Sequence, residues 1–267
     1  MKTICEDLRQ EYEVLDAVVA SRSIDEWQIL TPFNGWSIYD VIAHICFTDM
    51  NALLAMEDPD AFALHANKLR EWVEIDKGQL MPFTYEEMGK PSEDVLLAKW
   101  RDIRWQLLRT AEAQSPKDRF LWYGPSMSTR SLITARLMET WAHGQDICDT
   151  FRVCRENTHR LRHIAHLGVQ TWHWSFIVNQ MEPPTSTPYI ELIAPSGELW
   201  RWGDETAEDV VKGPAVDFCL LVTRCRHWQD LGLECEGAVA RAWLPIAQCF
   251  AGAPQSGPEP GERVYVW

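Results

Sequence analysis

Glu139 and His143 stand four residues apart in the segment TRSLITARLMETWAHGQDICDTF, residues 129–151. The pattern of that segment predicts a helix, and four residues is about one turn, so both side chains share a face. Asp146 continues the same face seven residues after Glu139. Two ligands from one helix need a third from elsewhere to hold a cation, and His44 is the natural candidate. It lies in SIYDVIAHICFTDMNALLAM, residues 37–56, beside a stripe of Ile38, Val41, Ile42 and Ile45 that must face the inside of a bundle. Two histidines and a glutamate make an open zinc-type site with a fourth position free for water or substrate. Helical bundles commonly build such sites from inward side chains on facing helices. Spacing alone leaves a second reading open, in which the histidines are hydrogen-bonded core residues and no metal is held.

The neighbouring acids carry two readings each. Asp146, one turn beyond His143, is placed to accept its free ring N–H and fix the tautomer, or else is an exposed surface acid. Asp40, one turn before His44, serves in the same way or is a first-turn acid favoured by the helix dipole. A rival histidine row, His159, His163, His166 and His173, also follows helical spacing. Arg160 and Arg162 stand beside it and no acid does, which disfavours a cation; a polar stripe at a domain junction is the expectation.

Helices must position these residues. Residues 2–20, 59–76 and 92–114 carry apolar positions at helical spacing. Ser37 and Ser128 are the expected N-caps of the two site helices. A further helix is expected over 158–178. The Pro-rich stretch MEPPTSTP then marks a break that no helix should cross. Beyond it YIELIAP and ELWRWG alternate around Ser196-Gly197, a hairpin signature. A third strand is expected in AEDVVKG, helices over about 214–226 and 236–250, and a loose Gly/Pro-rich tail. The class is thus α+β: a helical bundle over residues 1–182 and a small α+β domain over 183–267.

Composition narrows the partners. The chain has 267 residues, 46% of them hydrophobic, and a formal net charge of −14. No basic footprint for nucleic acid is visible, and the acid surplus argues against anionic lipid. Acids at positions 6, 7 and 11 interrupt any leader-like apolar core, and no stretch approaches the roughly 20 apolar residues that span a bilayer. The eight cysteines contain no CxxC pair and read as buried free thiols. Cys46 and Cys148, though near the ligand candidates in sequence, point elsewhere on their helices. The expectation is a cytoplasmic protein that is monomeric, with a dimer as the other option.

The motifs carry a resemblance. Gly35-Trp36-Ser37-Ile38-Tyr39-Asp40-Val41-Ile42-Ala43-His44 resembles the GW-x-x-x-D-x-x-x-H helix of DinB-like metalloenzymes, most closely the mycothiol-dependent maleylpyruvate isomerase group. Glu139-Thr140-Trp141-Ala142-His143-Gly144-Gln145-Asp146 resembles that group's E-x-W-x-H-x-x-D motif. The resemblance implies a DinB-like bundle, His44, Glu139 and His143 as ligands of zinc or another divalent metal, and a low-molecular-weight thiol, mycothiol or glutathione, as cofactor. The segment FCLLVTRCRHW resembles the LL-x-x-x-x-R helix near the end of the isomerases, from which an arginine reaches the active site. Arg224 is aligned with it, with Arg226 next and Arg201 as a substitute; the sequence has TRCR where a glycine is expected before the arginine.

These readings imply an isomerase or transferase acting on a small unsaturated carboxylic acid. Arg224 grips the carboxylate, Asp146 assists, and Trp36 and Trp141, beside the motifs, line the cofactor pocket. The fourteen tryptophans read first as apolar payload for the core; the other reading, from Trp36, Trp141, Trp172 and Trp174, is an aromatic pocket for a bulkier substrate than a small diacid. The alternatives are a zinc hydrolase of small amides or esters, and a non-enzymatic metal-dependent ligand-binding module.

Overall fold

In the computed structural model, which describes residues 1–76 and 80–264, the chain forms two compact units, Met1–Val153 and Cys154–Trp267. The first unit is helical: α1 (Lys2–Val19), the short α2 (Ile24–Trp27), α3 (Ile38–Glu57), α4 (Pro59–Asp76), α5 (Leu80–Met88), α6 (Glu93–Ala113) and α7 (Thr129–Phe151). A two-residue ribbon, β1 (Arg119–Phe120) with β2 (Met127–Ser128), interrupts what the sequence reads as loop. Helices α1, α3, α6 and α7 close a four-helix ring, and α4 and α5 pack on the outside of α3.

Apolar spacing dictates this ring. In α1, Ile4, Leu8, Tyr12, Leu15 and Val19 recur every three or four residues, and all are buried. The two site helices start where serine predicts. Ser37 accepts from the Asp40 N–H, and Asp40 reaches back to the Ser37 N–H at 2.8 Å, a capping box. Ser128 accepts from the Ser131 N–H at 3.1 Å. Asp40 is therefore the first-turn acid, bonded to Ser37 and Tyr85. The expectation that no stretch reaches membrane-spanning character is corrected by α3. It is long and apolar enough by length and composition, and 83% of that window is buried inside the protein. Neighbours on several sides make it apolar all round, as a core helix must be.

One buried carboxylate ties the ring together. Asp49 of α3 is fully buried and accepts from Tyr12 of α1 at 2.8 Å, Trp100 of α6 at 3.1 Å and Arg136 of α7 at 2.8 Å.

The second unit contains α8 (Leu161–Gln170), α9 (Trp172–Val178), β3 (Tyr189–Ile193), β4 (Leu199–Trp202), β5 (Val210–Pro214), α10 (Ala215–Val222), β6 (Glu234–Glu236) and α11 (Ala238–Trp243). The sheet order is β4-β3-β5-β6. The expected hairpin is present, with Ile190 opposite Trp202 and Ile193 opposite Leu199. Gly197 takes the left-handed turn position at φ 84. Strand β5 runs parallel to β3, and β6 pairs antiparallel with β5.

Three expectations change here. The helix read over 158–178 breaks into α8 and α9 at Thr171, whose φ of −104 and ψ of 13 leave the helical basin. The unit boundary falls at 153/154 rather than 182/183, because α8 packs against α10. That approach is close: a Cβ on Gly168 would lie 2.9 Å from the Val222 side chain. The Gly/Pro-rich tail is anchored, since Gln255 N–H donates to Gln248 at 2.9 Å and Gly261 N–H to Asp230 at 2.8 Å. All eight cysteines are free, and six are buried.

Removing one member of the buried pair leaves the other charge uncompensated. Arg136→Met is expected to lower the unfolding free energy by about 3–5 kcal/mol, read from the urea midpoint at unchanged slope.

Candidate metal centre

The centre is built on α3 and α7. His44 lies on the second turn of α3, and Glu139 and His143 lie one turn apart on α7. One ligand atom from each falls within 4.8 Å of the others. Nε2 of His44 and Nε2 of His143 each lie 3.5 Å from Oε2 of Glu139. The imidazole planes are nearly perpendicular, with ring centroids 5.0 Å apart. Two imidazole nitrogens and one carboxylate oxygen converging at this scale are the donor set of a three-ligand zinc-type site. The residues present fit a divalent ion.

Support for the ligands is uneven. Asp146 is buried and lies 3.2 Å from Nδ1 of His143, where it accepts the ring N–H and directs Nε2 at Glu139. Of the two readings of Asp146, the structure places it at the ligand and not on the surface. Nδ1 of His44 is buried with no hydrogen-bond partner among the described residues. Aromatic rings wall the histidines. Trp36 stacks near His143 at 6.1 Å and tilts against His44 at 5.1 Å, and Phe33 meets His143 edge-on at 4.8 Å. The loop that aims them is turned by Asn34 and Gly35, both at positive φ, and closed by Thr31 N–H to Trp36 O at 2.7 Å.

Sequence reasoning missed Phe33, because it lies outside any helical period; the turn-forming Asn34-Gly35 beside Trp36 is the signal that could have found it. Arg136 and Asp49 were missed too, since neither stands in a motif. Trp141 is buried within α7 two residues past Glu139, about 200° around the helix from it, so helix geometry does not turn it toward the ligands.

The other candidates lie in the second unit. Arg224 follows α10 in the left-handed region at φ 61, its Nε donating to Gln255 O at 2.7 Å and its Nη1 to Pro245 O at 2.9 Å. Arg226 is buried and donates to Cys225 O, and Arg201 pairs with Glu191 at 2.7 Å. The rival histidines do not form a row: His159 precedes α8 and His173 lies beyond the break at Thr171. His166 accepts from Trp202 at 3.2 Å. Among the described residues, His44, Glu139 and His143 are the one group whose ligand atoms converge.

The protonation pattern follows from burial and charge. Burial pushes His44 down to about 4 against the pull of Glu139, so its ring is neutral and ready to ligate. Burial also works against the Glu139 charge, yet the two imidazoles hold its carboxyl well below the usual range. For His143 burial is outweighed by Asp146 and Glu139, which raise it to about 9. Below that pH the metal-free site carries a proton on His143 that an ion must expel. Apparent affinity is therefore expected to rise with pH up to about 9, by roughly tenfold per unit for one displaced proton, in chelator-competition titrations. Asp146→Asn is expected to weaken binding by about 10–100-fold in the same assay.

Comparison with known proteins agrees with this architecture. Residues 8–148 match the family model described as mycothiol maleylpyruvate isomerase N-terminal domain. Two uncharacterized proteins of Mycobacterium tuberculosis, MT0041 of strain CDC 1551 / Oshkosh and Rv0036c of strain ATCC 25618 / H37Rv, are each 42% identical over 251 residues, spanning 94% of this chain and 96% of theirs. The crystal structure of the mycothiol-dependent maleylpyruvate isomerase superposes with a TM-score of 0.55 at 14% identity, covering 88% of this chain and 92% of that one. A histidine-to-alanine mutant of that isomerase superposes at 0.52 and 14% identity, covering 82% and 87%. At that identity the likeness establishes the α+β fold. The chain belongs to the DinB-like, mycothiol-dependent maleylpyruvate isomerase-like family.

Proposed function

We propose that this protein is a divalent-metal enzyme that uses a low-molecular-weight thiol to isomerise, or to transfer that thiol onto, a small unsaturated carboxylic acid. The carrying observation is the convergence of His44, Glu139 and His143 within 4.8 Å behind the Trp36 and Phe33 rings. Family membership supports the thiol, with mycothiol first and glutathione as the other option; zinc, which catalytic sites hold with two histidines and a glutamate, is the metal proposed.

A divalent ion with three protein ligands lowers the pKa of a thiol or water that takes its open position. The chain's own residues set the conditions for that. Glu139 supplies the negative charge that offsets a cation, and Asp146 holds His143 in the tautomer whose Nε2 lone pair faces inward. Trp36 packs against both imidazoles and Phe33 meets that of His143, forming an aromatic wall beside the site. A thiolate then adds to the cis carbon–carbon double bond of the acid, which becomes single and rotates, and elimination returns the trans acid and the thiolate.

The carboxylate clamp is part of this proposal. Arg224 is the residue first aligned with it, yet with four residues between Leu220-Leu221 and the arginine the pattern falls on Arg226. Lysine replacement separates the two: the clamp's variant is expected to raise KM for the acid with kcat nearly kept, and the other variant to leave KM alone. We place the activity in the cytoplasm, on a monomer, with small molecules rather than nucleic acid or membrane as its partners.

Elemental analysis of the purified protein is expected to find one divalent metal per chain, lost in His143→Ala. Turnover of cis-enoic acids, maleylpyruvate first, is expected only with thiol present. Metal-free protein, or unchanged metal in His143→Ala, overturns the reading. Thiol-independent turnover gives the site to a hydrolase, and ligand-induced stabilisation without turnover to a binding module.

A further inference from the structure

A second polar cluster stands on the outer side of α3. His65 of α4 lies with Nε2 3.0 Å from the Tyr123 hydroxyl, in the loop between β1 and β2, and with Nδ1 3.5 Å from Glu87 of α5. Three elements distant in sequence thus make a carboxylate–imidazole–phenol chain. It is set among aromatic rings, with Phe47, Phe62 and Phe83 each within 6.4 Å of the imidazole. The His65 side chain is 10% exposed and Glu87 26%, so the chain runs from an apolar interior to solvent. Purely apolar packing would hold α4 against α3 without the desolvation cost of three polar groups.

Two neighbours of the cluster stand one turn from candidate ligands on the site helices. Phe47, whose ring touches His65 at 5.6 Å, lies one turn after His44 on α3. Arg136, whose charge acts on the Tyr123 phenol, lies one turn before Glu139 on α7. The hydrogen bonding has a direction. A carboxylate at Nδ1 fixes the N–H there, which leaves Nε2 as the acceptor of the Tyr123 O–H. This is the orienter–base–hydroxyl order of a catalytic triad, with a phenol at the end.

We propose that Glu87, His65 and Tyr123 form a proton relay that takes the proton of the incoming thiol and returns it when the thiol leaves. This rests on the thiol-dependent reading above. A thiol attacks only as thiolate, and its proton needs an acceptor that is not a metal ligand. In the forward step the S–H proton passes to the phenol oxygen of Tyr123 while the phenol proton passes to Nε2 of His65. The imidazolium so formed sits beside Glu87; no electrons change hands, and the reverse transfer restores all three groups.

The resting states suit the role. Burial lowers the His65 pKa, against Glu87 and with the help of Lys68, so the ring is neutral near pH 7. Burial raises the Tyr123 pKa, keeping the phenol protonated. Two cations also act on the relay: Lys68, which pairs with Glu86 and Glu87 and acts on His65, and Arg136, which acts on Tyr123.

The test uses full-length metal-loaded protein and the variants Tyr123→Phe, His65→Gln and Glu87→Gln, each checked for metal content and melting temperature. Tyr123→Phe and His65→Gln are expected to lower thiol-dependent kcat/KM by about 10²-fold or more with metal content and melting temperature kept. The variants' rates should recover at high pH, where thiolate forms without a base. Glu87→Gln should give a smaller loss and shift the pH profile. Wild-type rate and pH profile in both Tyr123→Phe and His65→Gln overturn the relay while leaving the proposed function intact. Absence of thiol-dependent turnover in the wild type overturns the function, and the relay with it.

Discussion

Asp49 is fully buried, and three helices donate to it. A lone buried carboxylate neutralises or forces the structure open; here burial raises the Asp49 pKa, while a guanidinium, a phenol and an indole converge on it and oppose that rise. Each donor comes from a different helix of the ring, so the bond set exists only when α1, α3, α6 and α7 are all in register. Arg136 is one turn from Glu139, and Asp49 lies little more than one turn from His44. The ion pair thereby fixes how α7 slides along α3, and that slide decides whether two imidazoles and a carboxylate meet. A shift by one residue, about 1.5 Å of rise and 100° of rotation, would carry Glu139 off the face that His44 presents.

The convergence of His44, Glu139 and His143 was legible because its information is local. Helical spacing places Glu139 and His143 on one face, Ser37 starts α3 at a fixed phase, and the apolar stripe turns His44 inward. The approach of Asp146 to Nδ1 of His143 follows from the same spacing. What sequence could not give is what depends on distant pairing. Asp49 and Arg136 are 87 residues apart, and neither belongs to a periodic pattern that predicts a partner. Phe33 belongs to a loop whose path is set by two left-handed residues, so its ring position is a tertiary fact. Trp141 misled in the other direction: adjacency in a motif is not adjacency in space when the helix turns about 100° per residue.

The second unit shows the same division. The hairpin around Gly197 was readable, since alternation and a turn glycine specify it locally. The helix over 158–178 was not, because its apolar residues continue past Thr171 and only the backbone there marks the break. Placing α8 in the second unit depended on Gly168, which lets α8 approach Val222 and Phe218 of α10. A glycine inside a helical pattern announces a close neighbour without saying which. The tail read as loose from its Gly and Pro content, yet Gln248, Asp230 and Arg224 hold its main chain. Composition reports what a segment cannot form by itself, and side chains elsewhere supply the order.

Charge at the metal centre follows from the same geometry. Glu139 touches both imidazoles and Asp146 adds a second carboxylate at His143, so the two histidines differ although they share an environment. His143, between two carboxylates, holds a proton tightly; His44, with one carboxylate at Nε2 and no hydrogen-bond partner at its buried Nδ1 among the described residues, does not. A centre with both histidines neutral would leave the negative charge of Glu139 and Asp146 unbalanced inside the bundle. The proton on His143 balances part of it in the absence of metal, and a divalent ion that displaces that proton raises the local charge by only one unit. Filling the candidate site with a divalent ion would thus change the buried charge by little, a change one packed bundle can absorb.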